Sequence, residues 1–153
     1  MTFFQLYTEG LPLILHWDVI LMAVGGVFMG ITIGALPGLT VTMAVAILVP
    51  LTYGFSPLAG ILGLIGIYCG GNYGGSVSAI LVNVPGTPSA VMTGLDGYPL
   101  TLKGQAGKAI GTATITSFIG GFFSVIVLSL VSPIVAKIAL GFTSAEFFAI
   151  GVL

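Results

Sequence analysis

Charged residues are too scarce in this chain to cover a surface that faces water. They make up 5% of its 153 residues, against about 25% in ordinary soluble domains. Hydrophobic residues make up 57%, and the mean hydropathy is +1.22. The charged residues are Glu9, Asp18, Asp96, Lys103, Lys108, Lys137 and Glu146. We therefore expect lipid, rather than water, to surround most of the folded chain.

The few polar residues exclude several classes of function. A net charge of −1 provides no basic face for a nucleic acid. One cysteine and one histidine exclude a disulfide framework and any Cys/His metal site built by this chain alone. The chain has no Ser/His/Asp set and no pair of carboxylates within one span. We predict that it is not an enzyme and that it binds no cofactor.

Proline and glycine divide the apolar sequence into segments of unequal length. This pattern predicts an all-α fold of polytopic membrane helices, some of them broken or re-entrant. Residues 1–17 are predicted to lie at the membrane interface and residues 18–153 to form the membrane domain. The predicted spans are 18–36, a short or re-entrant 39–53, a broken 58–84, 109–131 and 134–153, the last one truncated.

Two of the interruptions carry small polar groups. The first is Gly-Ala-Leu-Pro-Gly-Leu-Thr (34–40), and the second runs from the glycine-rich stretch 70–75 through Asn83 to Pro-Gly-Thr-Pro-Ser (85–89). Irregular backbone at membrane depth is tolerated where it is buried in protein or lines a cavity. Free helix ends there offer N–H groups to anions and carbonyls to cations. The candidate substrate- or ion-binding residues are Pro37, Gly38, Thr40, Thr42, Asn72, Ser76, Asn83, Pro85, Gly86 and Thr87.

Each of these features also has a purely structural interpretation. The first interruption is equally well explained as a tight turn between helices. Glycines at 26, 30 and 34 and at 63, 66, 70 and 74 form smooth stripes on which helices pack closely, although 70–75 is equally compatible with an unwound segment. Asn72 and Asn83 suit hydrogen bonds between helices, and Ser76 suits a bond to its own helix. The broken apolar segments with polar groups are typical of a membrane transporter. The alternative function is a non-transporting membrane scaffold or an intramembrane enzyme.

Five motifs follow one another in an order that is similar to that of a known family. They are Gly-Ala-Leu-Pro-Gly-Leu-Thr (34–40), Tyr-Cys-Gly-Gly-Asn-Tyr-Gly-Gly-Ser (68–76), Ile-Leu-Val-Asn-Val-Pro-Gly-Thr-Pro (80–88), Leu-Asp-Gly-Tyr-Pro (95–99) and Phe-Thr-Ser-Ala-Glu-Phe-Phe-Ala (142–149). From about Asp18 to the last residue, the chain resembles the large membrane subunit of the tripartite tricarboxylate transporters. The resemblance implies substrate or ion contacts at 36–38 and 83–86. Thr40 departs from the family, in which many members have glycine at that position.

The resemblance also implies a function, partners and a location. It implies a multi-pass secondary transporter of the bacterial inner membrane, of inverted-repeat type, that imports tricarboxylates or related organic carboxylates. The implied driving force is a Na⁺ or H⁺ gradient, without ATP hydrolysis. Besides the substrate and the lipid bilayer, the implied partners are a small membrane subunit and a periplasmic solute-binding protein.

The last residues of the chain predict that it is a fragment. Ser144 suits a helix N-cap and Glu146 the first turn of that helix. Fewer than ten residues follow Ser144, whereas crossing a bilayer takes about 20. We therefore expect a longer protein, and the resemblance implies that this chain is most of the first of two related halves.

Overall fold

The structure is a computed structural model that describes residues 10, 12–139, 141–143, 146, 149 and 151. Its main helices are α1 (Trp17–Ala35), α2 (Val41–Thr52), α3 (Pro57–Val82), α4 (Val91–Leu102) and α5 (Ala106–Ala139), with a 3₁₀ turn at Pro88–Ala90. No strand occurs in the described residues, so the all-α prediction is confirmed. Most of the predicted interfacial segment, 1–17, lies outside the described residues. The chain forms two units that divide within α5, one ending at Thr114 and the other beginning at Ile115.

Local sequence explains how α1 ends and α2 begins. Leu36 is extended, and Gly38 has a φ of 97°, a backbone conformation that favours glycine. Thr40 then caps α2, because its hydroxyl accepts a hydrogen bond of 3.3 Å from the Met43 N–H. With 12 residues, α2 is about 18 Å long, which is short of the ~30 Å hydrocarbon core of a bilayer.

Glycines bring α1 and α3 into backbone contact. A Cβ atom placed on Gly26, Gly30 or Gly34 would overlap a carbonyl oxygen of α3, and the carbonyls concerned belong to Gly63, Ile67 and Gly71 in that order. Because both sets of numbers rise together, the two helices are parallel. This close approach is the contact that small residues permit between membrane helices.

The contact between α1 and α3 is reciprocal. Gly66, Gly70 and Gly74 of α3 meet the carbonyl oxygens of Ala23, Val27 and Ile31 of α1 in the same manner. Gly66 follows Gly26 by 40 residues, and the same offset relates Gly70 to Gly30 and Gly74 to Gly34. Each of these six glycines therefore faces the carbonyl that lies three residues before the glycine paired with it by that offset. The two helices pair like the two copies of a symmetric parallel dimer.

The third predicted span is one unbroken helix, whereas the sequence predicted a break within 58–84. α3 continues from Pro57 to Val82 through all four glycines between residues 70 and 75. Those glycines disfavour a helix by about 3–4 kcal/mol in total relative to alanine. The backbone of α1 packs on Gly70 and Gly74, and this tertiary contact favours the helix that local propensity does not. Of the two interpretations of these glycines, the structure has the smooth stripe.

The spans predicted at 109–131 and 134–153 also differ from the structure. Ser132 and Pro133 do not separate two helices, because α5 runs through Pro133 and has 34 residues. Proline inside a membrane helix is tolerated when the freed carbonyl finds another partner. Further on, the Thr143 N–H donates to the Glu146 carboxylate, and the predicted cap Ser144 lies outside the described residues. By length and composition, two described helices could cross a membrane, Trp17–Ala35 and Ala106–Ala136.

Candidate functional site

The two polar interruptions, far apart in sequence, meet at one turn of α3. A Cβ atom on Gly71 would lie 2.6 Å from the side chain of Val41, the first residue of α2. One on Gly75 would lie 3.0 Å from both the backbone nitrogen and the hydroxyl oxygen of Thr87. One on Gly86 would overlap the carbonyl oxygen of Gly34, near the end of α1. The turn Gly71–Gly75 is thus flanked by both segments, and we call this region the glycine junction.

Similar local chemistry begins a short helix on each side of the glycine junction. In both segments a Pro-Gly pair precedes a threonine in extended conformation, Thr40 before α2 and Thr87 before the 3₁₀ turn that leads into α4. Pro88 follows Thr87 at the first helical position, where a missing N–H costs nothing. Helix N-termini carry a partial positive charge and N–H groups without a partner inside the helix; at the second end Pro88 has no N–H and the Ala90 N–H donates to the Thr87 carbonyl. Two such ends, at α2 and at the 3₁₀ turn before α4, therefore converge on one turn of α3.

A chain of hydrogen bonds crosses the glycine junction. The Ser89 hydroxyl donates to the Asn72 Oδ1 at 3.5 Å, and Asn72 Nδ2 donates to the Tyr68 carbonyl at 2.8 Å. The hydroxyls of Thr87 and Ser89 are 3.1 Å apart. Since the single Ser89 hydrogen points to Asn72, Thr87 is the donor in that pair. These hydrogen bonds link residues 87–89 to the middle of α3, and Thr87 is only 6% exposed.

Ser89 takes part in these hydrogen bonds; it lies within the second interruption, but the list of candidate residues did not include it. The sequence contained a signal for it, because Thr-Pro-Ser places two hydroxyl residues around a proline just after a Pro-Gly turn. Its partner Asn72 lies 17 residues earlier, so no local pattern pairs the two residues. Asn72 and Thr87 were among the candidates, and the structure brings them together through Ser89.

The remaining candidates lie around the junction or away from it. Pro37, Gly38, Thr40, Thr42 and Pro85 are exposed, and they form the two turns and the first turn of α2. The backbone N–H of Gly86 donates to the Gly75 carbonyl at 3.4 Å and fixes the second turn against α3. Ser76 donates to the Asn72 carbonyl of its own helix at 3.3 Å, as in its structural interpretation.

Asn83 lies apart from the junction, at the end of α3. It follows Asn72 by 11 residues, which corresponds to about 16 Å along the helix axis. Its φ of 58° and ψ of 27° are left-handed, and its N–H donates to the Ala79 carbonyl at 3.1 Å. Asparagine tolerates this conformation better than most residues other than glycine. The geometry gives Asn83 a clear role in ending the helix.

Substitution of Asn83 separates that role from substrate contact. We expect Asn83→Gly to leave the free energy of unfolding within about 0.5 kcal/mol of wild type, because glycine adopts positive φ freely. Asn83→Ala should cost about 1 kcal/mol. Thermal unfolding of the full-length protein in detergent measures both values. A stable Asn83→Gly protein that fails to transport would instead assign the amide side chain to the substrate site.

Formal charge is absent from the described residues of the glycine junction. Asp18 lies at the other end of the α1–α3 pair, where its carboxylate accepts a 3.2 Å hydrogen bond from Ser56. Because α1 and α3 are parallel, both N-termini lie at that end, and one carboxylate complements both helix dipoles. Lys103 follows the C-terminus of α4. A charged ligand at the junction would therefore meet dipoles, amides and hydroxyls.

A separate cavity of about 390 Å³ lies between α1, α2 and α3, nearer the Asp18 end. Thr52 is the one hydroxyl residue in its lining, and its other walls are apolar side chains and glycines. The lining residues are Met22, Gly25, Gly26, Phe28, Met29, Leu48, Leu51, Thr52, Phe55, Gly63 and Ile67. Such a surface suits hydrocarbon and disfavours a carboxylate, whose burial without polar partners is costly. The glycine junction is the better candidate for a polar ligand.

Comparisons with known proteins agree with the motifs. The profile of the family described as "Tripartite tricarboxylate transporter TctA family" matches residues 20–153. An uncharacterized 52.8 kDa protein in the TAR-I ttuC' 3' region of Agrobacterium vitis is 44% identical over 128 residues. Those residues are 84% of this chain but 26% of the relative, so the chain spans about a quarter of that relative's length. No solved structure is significantly similar. By the extent of the profile match, the chain belongs to the TctA family of tripartite tricarboxylate transporters and is a membrane component of that kind.

Proposed function

We propose that this chain is part of a membrane subunit that imports tricarboxylates or related organic carboxylates, and that the glycine junction contacts the substrate. The observation that carries the proposal is the convergence of two helix N-termini, those before α2 and α4, on Gly71–Gly75. Carboxylates are stabilised by free N–H groups and by the positive ends of helix dipoles. Membrane transporters commonly bind anionic groups in this way, at the ends of discontinuous helices.

The composition of the chain supports the same assignment of roles. The chain has no arginine, which is the side chain best suited to hold a carboxylate in a bidentate manner. Within the described part of this chain, the polar groups at the junction are backbone N–H groups, the Asn72 amide and the hydroxyls of Thr40, Thr87 and Ser89. One carboxylate group of a substrate would be bound here, and the others by the rest of the full-length protein.

Family membership supports the wider arrangement that we propose. The full-length protein would lie in the bacterial inner membrane with several spans, beside a small membrane subunit and a periplasmic solute-binding protein. An ion gradient would drive import. The polar side chains at the junction, Asn72, Ser76, Thr87 and Ser89, do not titrate near neutral pH. Their oxygen atoms suit Na⁺ better than they suit a transported proton.

Transport measured in proteoliposomes tests the proposal. The full-length protein with its partners would be supplied with labelled citrate, isocitrate or tricarballylate, and the compound that wild type imports would be used. We expect Thr87→Val, which keeps the side-chain shape and removes the hydroxyl, to lower the initial uptake rate about tenfold or more. The reason is that the series of hydrogen bonds from Thr87 through Ser89 to Asn72 loses the Thr87 hydroxyl, which is its first donor.

Thr32→Val is the matched control. The Thr32 hydroxyl donates to the Phe28 carbonyl of its own helix at 2.8 Å and is exposed, so uptake should remain at the wild-type rate. Equal uptake by both variants at matched expression would remove the junction hydroxyls from the site. That outcome would favour the alternative in which these residues only join helices.

A further inference from the structure

The segment Gly70–Ser76 is the part of α3 with the weakest intrinsic tendency to be helical. Four of its seven residues are glycines, at 70, 71, 74 and 75. Glycine loses more backbone entropy in a helix than any other residue. The glycines of α1, by contrast, are spread over three turns, apart from the adjacent pair Gly25 and Gly26. The residues of α3 with low helix propensity are thus concentrated within two turns.

Contacts from three directions keep this segment helical. The carbonyls of Val27 and Ile31 in α1 pack on Gly70 and Gly74. On the neighbouring face, the Val41 side chain covers Gly71, and Thr87 covers Gly75. The contacts at Val41 and Thr87 come from the N-terminus of α2 and from the turn before α4, and not from the paired helix α1. Displacement of either would remove packing that the helix needs there.

Replacement hydrogen-bond donors are already present for the carbonyls of this segment. The Tyr68 carbonyl accepts from Asn72 Nδ2, and the Asn72 carbonyl accepts from the Ser76 hydroxyl. The Gly75 carbonyl accepts from the Ser78 hydroxyl at 3.0 Å and from the Gly86 N–H. A backbone carbonyl in a membrane must keep a partner when a helix opens. Side-chain and loop donors meet that requirement here, since they bond the same oxygens.

From low propensity, displaceable contacts and replacement donors together, we propose that α3 is a convertible helix. It is continuous in the state described above and open at Gly70–Ser76 in a second state of the full-length protein. Its use in transport rests on the proposed function, because a carboxylate entering between the two N-termini would displace the contacts at Val41 and Thr87. The opening itself is a property of α3 and needs no substrate.

Hydrogen–deuterium exchange of the full-length protein, reconstituted in nanodiscs without substrate, tests the opening directly. Backbone amides of residues 72–76 should exchange roughly tenfold faster than those of residues 31–35 in α1. Gly34 and Gly71 are in contact, so the two segments lie at a similar depth and differ little in access to water. Equal protection of the two segments would overturn the proposal.

Two substitutions and their controls extend the test. Gly71→Ala combined with Val41→Ala adds one methyl group to α3 in the space left by the two γ-methyl groups of Val41, and it raises the helical propensity of α3. Exchange at 72–76 should become about fivefold slower than in Val41→Ala alone. Ser76→Ala introduces no clash and removes the replacement donor of the Asn72 carbonyl, so it should also slow exchange several-fold. Gly111→Ala, where a Cβ atom would meet nothing within 4 Å, should leave exchange at 72–76 unchanged.

The results separate this proposal from the proposed function. Slow exchange at 72–76 with loss of uptake in Thr87→Val would refute the convertible helix and keep the substrate site. Fast exchange that both substitutions slow, with normal uptake in Thr87→Val, would keep the convertible helix and refute the substrate site. If neither Gly71→Ala/Val41→Ala nor Ser76→Ala changes the exchange rate at residues 72–76, any opening has another origin. That result also overturns the proposal.

Discussion

Gly26→Ala is expected to destabilise the full-length protein by about 3 kcal/mol, at the upper end of the usual cost of overpacking. The added methyl group would overlap the Gly63 carbonyl oxygen and lie within 3.0 Å of its carbon. Backbone cannot yield as a flexible side chain can, so α1 and α3 would have to separate. Every stripe contact along the pair would lengthen with them. Thermal or denaturant unfolding in detergent measures the loss.

Gly25→Ala is the control, and it changes the adjacent residue of the same helix. A Cβ atom on Gly25 would meet nothing within 4 Å, so only helix propensity changes. Stability should therefore stay level or rise by up to about 1 kcal/mol. Equal destabilisation by the two substitutions would mean that the parallel contact between α1 and α3 is not the one described.

Gly86→Ala should have the largest effect on transport, a loss of about tenfold to a hundredfold in the initial uptake rate. A methyl group on Gly86 would overlap the Gly34 carbonyl oxygen and lie 2.9 Å from the Gly75 Cα. Residues 84–87 would move off both helices, and Thr87 and Ser89 would lose their positions relative to Asn72. Displacements of about 1 Å are enough for rate losses of this size. Labelled-substrate uptake in proteoliposomes provides the measurement.

Gly107→Ala serves as the comparison for Gly86→Ala. It changes a glycine of α5 whose added Cβ atom would meet nothing within 4 Å, so uptake should match wild type. Both proteins would be compared at equal amounts in the membrane, since Gly86→Ala also costs stability. Normal uptake by Gly86→Ala would contradict the assignment of the glycine junction to the substrate.

Local chemistry made much of this fold predictable. Pro37 and Gly38 end a helix and Thr40 begins the next, because each effect depends on residues within one turn. The extent of α3 was not decidable, since glycine propensity and glycine packing act in opposite directions and only the position of α1 determines the outcome. Pro133 led to a wrong boundary in α5. A proline removes one hydrogen bond, and the surrounding helix was long enough to continue through it.

The candidate site was predictable in its parts but not in its assembly. Pro-Gly turns followed by hydroxyl residues identified both segments from sequence alone. Their convergence on Gly71–Gly75 depends on contacts between residues that are 12 to 52 positions apart, such as Thr87 with Gly75 and Gly86 with Gly34. No periodicity encodes such contacts. For the same reason the sequence did not single out Ser89 within its segment, because its pairing with Asn72 depends on the fold.

The unequal lengths of α1 and α3 account for the location of the glycine junction. With an offset of 40 residues, Ala35, where α1 ends, corresponds to Gly75, whereas α3 continues to Val82. The last seven residues of α3, about 10 Å of helix, thus have no equivalent in α1. If α1 had the length of α3, its backbone would continue along residues 76–82 of α3. Because α1 ends before α3, the side of α3 at Gly75 is contacted by Gly86 and Thr87 and not by more of α1.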